Sequence, residues 1–397
     1  MSPSYSYLQS RQPGWFTALF IALVLAACGG GVDSGGTGAP ASSASGPITG
    51  FGSVIVNGVH YDESRANISD ADGRVLHSDD LRLGMTALIR GSALVITANE
   101  TRSAADSIVI SNAIVGPIDN IDTGAGTVTV LDQTVQVSSM TLFDDSTSGL
   151  SALSPGDVIE VFALLDASNG PYNATRIERK TGVSAYELRG IVSNLDTAIR
   201  MFNIGNLKIS YAGIAQKDVP PSLGNGRPMR VRMRTSTGVP VRIATLLQDG
   251  VSPLAEQEEA RIEGMITNFV SSRQFSVEGV AIDASQASMS GNGGWRAGSR
   301  VSVEGIVRGG VLVADKAKSK SKHDVESEGF ELDGKITALD TASKILLVHG
   351  VSVDYSGIVE FRDGTIADLA VGKNVEIKGT LSADPARVEA VRIEFKH

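Results

Sequence analysis

A single cysteine, Cys28, stands in a chain of 397 residues, so no intramolecular disulfide reinforces whatever fold the chain adopts. Aromatic residues make up only 5% of the sequence, and Trp295 is the one tryptophan beyond the first 27 residues. That is thin material for the stacked-ring grooves that hold single-stranded nucleic acid or sugars. Basic residues number 35 against 44 acidic ones, for a net charge of -9. A polyanion is repelled on average, and nucleic acid is not an expected partner. The five histidines, His60, His77, His323, His349 and His397, lack the paired spacing of a zinc site. Around Asp79-Asp80, Asp144-Asp145 and Asp218 there is no DxDxDG-like order of oxygen ligands, so these read as solvated loop carboxylates rather than a calcium site. No metal and no cofactor is expected. Long apolar runs are also missing: the stretch 16–26 is too short to cross a hydrocarbon layer of ~30 Å as a helix, which takes about 20 residues.

What is present begins with an address. A polar stretch with Arg11 as its only charge, the apolar run, and the small residues Ala26 and Ala27 have the layout of a signal peptide over 1–27. The sequence Leu25-Ala26-Ala27-Cys28-Gly29 resembles the lipobox of bacterial lipoproteins. That resemblance implies cleavage before Cys28 and acylation of it, giving a lipid anchor in the membrane, and Gly29 in place of a retention aspartate implies the outer membrane. Residues 28–46, rich in Gly, Ser and Ala, are expected to form a flexible tether.

Self-similarity organises the rest. One glycine recurs in a short strand-like segment, at Gly50, Gly116, Gly190, Gly264 and Gly334. A second follows at Gly84, Gly156, Gly226, Gly298 and Gly372, with successive spacings of 72, 70, 72 and 74 residues. These anchors divide the chain into five units, 47–111, 112–183, 184–254, 255–326 and 327–397. Period-two alternation dominates each unit, as at Val301, Val303 and Gly305 against Ser302 and Glu304. No long helical period appears, and Gly, Asn and Asp punctuate at short intervals. Five short strands in ~70 residues leave exposed edges unless they close into a ring. The expected fold is therefore all-β, a tandem array of five small OB-like β-barrels, with a small β-sandwich as the alternative. A unit this small buries only about 60% of its unfolded surface, so neighbours are expected to stack in a row.

Candidate chemistry is sparse. Asp122-Thr123-Gly124 matches the aspartic-protease triplet, but Asp196-Thr197 and Asp340-Thr341 stand at the same place in other units, which points to turn chemistry. Arg230, Arg232 and Arg234 alternate with Val231 and Met233, so a strand turns the arginines outward as a candidate anion-binding stripe, with Arg227 and Arg242 nearby. The competing reading is a face paired with acids of a neighbouring strand or unit. Trp295 is expected to pack rather than bind. Lys316, Lys318, Lys320 and Lys322, followed by Asp324, Glu326 and Glu328, read as a charged linker between units 4 and 5.

The lipobox, the opening GPITGFGSVIVNGVHYD at 47–62, and the recurring leucine, two residues, glycine and alternating valines ending in glycine resemble the bacterial envelope lipoproteins that carry repeats of a domain of unknown function. Units 2 and 3 depart from that pattern, with Ala163 and Met233 where Gly305 and Gly379 close the strand in units 4 and 5. The resemblance implies no activity. The sequence thus leads to a non-catalytic, membrane-anchored envelope lipoprotein that presents a repeat surface to an anionic glycan, a lipid headgroup or a protein. The alternative is an enzyme or accessory subunit acting on envelope or extracellular polymers.

Overall fold

Alternating inward and outward side chains let a strand bury one face only, and in every unit that face is rolled into the same closed ring. In the computed structural model, unit 4 has its first strand at Glu259–Ser271, paired antiparallel with Gln274–Val277, which pairs with the third strand, Val280–Asp283. The third strand runs parallel to the closing strand Val311–Ser319; this pairs with the fourth, Arg300–Arg308, which returns to the first. Ile262, Ile266, Val301 and Val303 fill the interior. The same five pairings, including the one parallel pair, close unit 1, unit 2, unit 3 and unit 5. A parallel pair needs a long crossover, and here it is the connection between the third and fourth strands. The fold is therefore an array of five small OB-like barrels, and the sandwich alternative falls because each sheet closes on itself. The structure describes residues 41–396 other than 99, 145–146, 148, 166–169, 237, 251–253, 255, 257, 328 and 382–387. The signal-peptide and lipobox readings, Cys28 included, lie outside the described residues, as do Asp145, Glu328 and His397. Ala39–His397 forms one compact unit.

The second set of glycines has one job throughout. Gly84, Gly156, Gly226, Gly298 and Gly372 all have φ between 76° and 92°, a conformation that side chains disfavour. Each donates its N–H to a first-strand carbonyl, those of Ile48, Ile118, Val192, Ile266 and Ile336, at 2.8–2.9 Å. Those five residues in turn donate to the carbonyl of the residue after the glycine. The first set makes room for a turn. Between second and third strands, Asn57, Leu131, Gly205, Glu278 and His349 take φ of 50–55°. A Cβ on Gly116 would stand 2.5 Å from Leu131 Cγ, one on Gly334 2.5 Å from His349 Nε2, and one on Gly264 would collide with Glu278 Cγ.

By this register the anchor of unit 1 is Gly46 and not Gly50, because Ile48 pairs with Val56 as Ile336 pairs with Val348, and Asn57 Oδ1 lies 2.6 Å from a Cβ at Gly46. The first strand of unit 1 accordingly spans Ser42–Phe51, and residues 42–46 belong to the barrel rather than to the tether. Gly50 serves another purpose: it pairs with Glu331 of unit 5, whose carbonyl would be 2.5 Å from a Cβ. The position that closes the fourth strand sits at a β-bulge in all five units: Gly91, Gly305 and Gly379 occupy it in three, and Ala163 and Met233 form the same bulge in the other two with their side chains buried.

The barrels do not stack as a row of sequence neighbours. Ser42–Ser45 of unit 1 pairs parallel with residues 259–262 of unit 4, Gly50 and Phe51 with Glu331 and Leu332 of unit 5, and Ile114 and Val115 of unit 2 with Leu188 and Glu187 of unit 3. The reason is local: the first half of a first strand has the fourth strand on one side and, before the second strand joins, a free edge on the other, while at Gly50 and Phe51 the second strand has joined and the side that the fourth strand has left is the free one. Units 1 and 5 share one apolar core and units 2 and 3 another, while unit 4 has its own.

These roles predict different costs for two glycines. Gly264→Ala, which drives a methyl into Glu278, should lower stability by about 1–3 kcal/mol, and Gly372→Ala, with open space around it but φ of 89°, by about 1 kcal/mol. Urea unfolding of both variants checks this, and a Gly372→Ala loss larger than that of Gly264→Ala would contradict the assignment.

Candidate functional site

Fold-determining positions face the barrel interiors; polar side chains that a binding function would use lie where barrels meet. The arginine stripe runs along the fourth strand of unit 3, Pro228–Arg234, beside the first strand Ala185–Asp196. The stripe is not one outward surface. Arg230 is 8% exposed and forks onto Asp72 of unit 1, with Nη1 to Oδ1 at 2.6 Å and Nη2 to Oδ2 at 3.2 Å, and Nη2 also reaches Glu187 Oε2 at 2.7 Å. Half-buried Arg232 bonds the same two carboxylates, Asp72 and Glu187, whereas Arg234 stays exposed. Arg242 is buried over the Tyr186 ring at 5.7 Å and Arg227 is exposed, so neither extends the stripe. The anion that the guanidinium forks hold is thus the protein's own, as the pairing reading anticipated.

The pairing continues as one network across three barrels. Glu187 and Glu160 both accept from Asn112 Nδ2; Lys180 Nζ bridges Glu160 at 2.7 Å and Glu178 at 2.9 Å; and Glu178 accepts from Arg176 Nε at 2.6 Å. Arg176 also donates to the Leu83 carbonyl of unit 1. The network lines a groove of about 770 Å3 between units 1, 2 and 3. Two of its carboxylates are held ionised. The hydrogen bond from Arg230 holds Asp72 below the usual carboxylate range, and Arg176 and Lys180 hold Glu178 low although burial opposes them.

A second junction uses one carboxylate for three barrels. Glu278, the left-handed turn residue of unit 4, accepts from the amides of Leu165 in unit 2 and Met265 in unit 4, both at 3.0 Å, and from Arg189 Nη2 of unit 3 at 2.9 Å. Burial pushes its carboxyl upward, against the pull of Arg189 and the two amides. Sequence reading passed over Asp72, Glu187 and Glu278, because each gains its meaning from a partner on another strand or unit.

Other sequence candidates resolve into structure. Asp122 Oδ1 accepts from Ala125 N, Asp196 Oδ1 from Ala198 N, and Asp340 Oδ1 from Ala342 N, so the triplet is a turn in all three units. His60 meets Ser53 Oγ, and His349 Nε2 meets the Asp333 carbonyl. Among the described residues no three His, Cys, Asp or Glu side chains gather as metal ligands. Asp80 accepts from His77 N and Asp144 from Arg179 N, while Asp218 stays at the surface. Trp295 packs on Phe275 at 5.7 Å. The lysine run is not a linker: Lys316 and Lys318 are outward residues of the closing strand of unit 4, with Ala317 inward between them and Ala314 and Ser319 inward on either side, and a short helix, Lys322–Ser327, follows.

Residues 115–178, 263–318 and 333–394 match a family model described as a domain of unknown function (DUF5666), which places one match in each of units 2, 4 and 5. No protein of curated function matches the chain. Among solved structures the chain is similar to one titled "drosophila Unr CSD456", at 17% identity over 43% of this chain and 79% of that one, with a TM-score of 0.15.

Arg230→Ala removes the buried partner of two carboxylates and should cost about 3 kcal/mol. Because Asp72 is held low, the stability it contributes is complete above the ordinary carboxylate range and is lost as pH falls through its depressed value, so wild type should weaken below about pH 4. Thermal melts between about pH 3 and pH 7 test both, and a variant with wild-type stability and an unchanged acid limb would refute the clamp.

Proposed function

We propose that this chain is a non-catalytic envelope lipoprotein, anchored in the outer membrane through Cys28, whose five barrels form one rigid body that offers the groove between units 1, 2 and 3 to an envelope partner. The observation that carries the reading is the network lining that groove. Its carboxylates, Asp72 and Glu178, are held ionised by arginine and lysine partners, which suits fixed recognition by hydrogen bonds and charge and ill suits a proton donor, for which a raised pKa is wanted. The mixed signs along it, with Arg74, Arg82 and Lys180 beside Asp70, Asp80 and Glu160, fit a polar glycan with few charges better than a polyanion.

Two arms test the reading. In cells, wild type should stay with outer membranes through a carbonate wash while Cys28→Ser is released. On an array of envelope glycans and anionic lipids, soluble Ala39–His397 should bind a saccharide, and a Val75→Trp change at the groove wall should weaken that binding at least tenfold. Retention of Cys28→Ser on membranes would remove the anchor. Absence of any binding would remove the recognition surface, and turnover of an arrayed glycan would make the protein an enzyme.

A further inference from the structure

Close-packed proteins leave few voids larger than a water molecule, yet a cavity of about 330 Å3 opens where units 1, 2, 4 and 5 meet. It lies apart from the charged groove. Ile48 of unit 1, Met140 and Leu164 of unit 2, Met265 of unit 4 and Phe330 of unit 5 give it an apolar wall. Its other wall belongs to unit 4 and carries Ser299, Arg296, Arg300, Lys320 and Lys322. Every charged residue among the described ones lining it is a cation, in a chain of net charge -9. Glu263 backs this wall without lining the cavity: it accepts from Arg300 Nε at 2.7 Å and pairs with Lys320. The two cations hold Glu263 low in spite of its burial, so they stand fixed by an ionised carboxylate.

Two details indicate that the space is meant for a ligand. The Ser299 hydroxyl is buried, with the residue 5% exposed, and has no hydrogen-bond partner; an orphan of that kind in a native protein calls for an explanation. Moreover, the barrel fold does not require this wall. The backbone position of Ser299, which accepts from the first strand, is held by Met85, Asp157, Arg227 and Lys373 in the other units. The next residue, Arg300, corresponds to Thr86, Val158, Pro228 and Asn374. Unit 4 has put a small hydroxyl where four siblings carry longer side chains, and a guanidinium where none does.

We propose that this cavity binds a small anionic amphiphile, its hydrocarbon body against the apolar wall and its carboxylate toward Ser299, Arg296 and Arg300. Volume and lining match ordinary small-molecule sites, which are mostly apolar with a few placed polar groups. The Arg296 guanidinium, the edge of Arg300 that is not turned to Glu263, and a hydroxyl donor suit a carboxylate head. The site does not depend on the groove reading above, since it shares no residue with it.

Titration calorimetry of residues 28–397 carrying Cys28→Ser, without detergent, tests this with sodium decanoate, decanol and acetate as probes. Decanoate should bind one to one, with decanol and acetate at least tenfold weaker. Arg296→Glu, at an exposed position, should weaken decanoate at least tenfold. So should Ser299→Met, which installs the residue that unit 1 carries at this position. Circular dichroism establishes that each variant is folded, and Arg296→Glu alone decides if the other is not. No heat from decanoate at about 1 mM, a Kd range well within reach of so small an apolar ligand, would overturn the proposal. So would equal binding of decanol, or undiminished binding by folded Arg296→Glu.

Discussion

Closure of each barrel depends on one backbone exchange. A first-strand residue, Ile48, Ile118, Val192, Ile266 or Ile336, gives its N–H to the carbonyl of the residue just before the fourth strand and takes one from the glycine preceding that residue. The glycine must bend to positive φ to offer that N–H, which is why a glycine recurs there in every unit. With this corner fixed, the third strand meets the closing strand in parallel and no edge of the ring stays open. The chain has no disulfide to do the same work, and ~70 residues bury too little alone. Sharing cores between units 1 and 5, and between 2 and 3, supplies what the single barrels lack.

Docking is specified somewhere else, at the turn between second and third strands. Its backbone is constant, with φ near 50°, and its side chain differs in every unit. Asn57 donates to the Arg261 carbonyl of unit 4, Glu278 ties units 2 and 3 to unit 4, His349 tilts against Phe51 of unit 1 at 5.8 Å, and at Gly205 the missing side chain leaves room for Gln133 of unit 2. Five identical barrels with free first-strand edges would pair in many ways. Giving each a different residue at one turn, and leaving the closing corner alone, selects a single arrangement without touching the fold.

This division explains what could be read from the sequence. Strands, the second glycine set, the Asp turns and the barrel class are local: they show as alternation, fixed spacing and turn residues within a few positions. The bulge at Ala163 and Met233 was not legible, because a bulge is a relation between strands and tolerates a buried side chain. Nor was Gly46, since the hairpin after it is shorter than its counterparts and Gly50 lies in a similar-looking segment. The lysine run looked like a linker because its inward partners are alanine and serine, too weakly apolar to show the strand period. Arrangement was hidden altogether. Asp72 reaches Arg230 across 158 residues and Glu278 reaches Leu165 across 113, and nothing local marks either carboxylate.

Buried ion pairs seldom repay the cost of stripping water from both charges, and an apolar substitute of similar shape is often as stable or more so. The fold does not require a glutamate at the position of Glu263, where the register places Ser45, Val115, Arg189 and Asp333 in the other units. Retaining a fully buried glutamate there, bound to Arg300 and Lys320, is therefore hard to credit to stability. What the glutamate does achieve is orientation: it fixes two long, otherwise mobile cations along one wall of an apolar space, beside a hydroxyl left without a partner. Departures from a repeat that dock one unit on another touch a neighbouring barrel, as Glu278 and Asp72 do. Glu263 instead holds Arg300 and Lys320 of its own barrel, and those two cations line the cavity, which is how a site is preorganised.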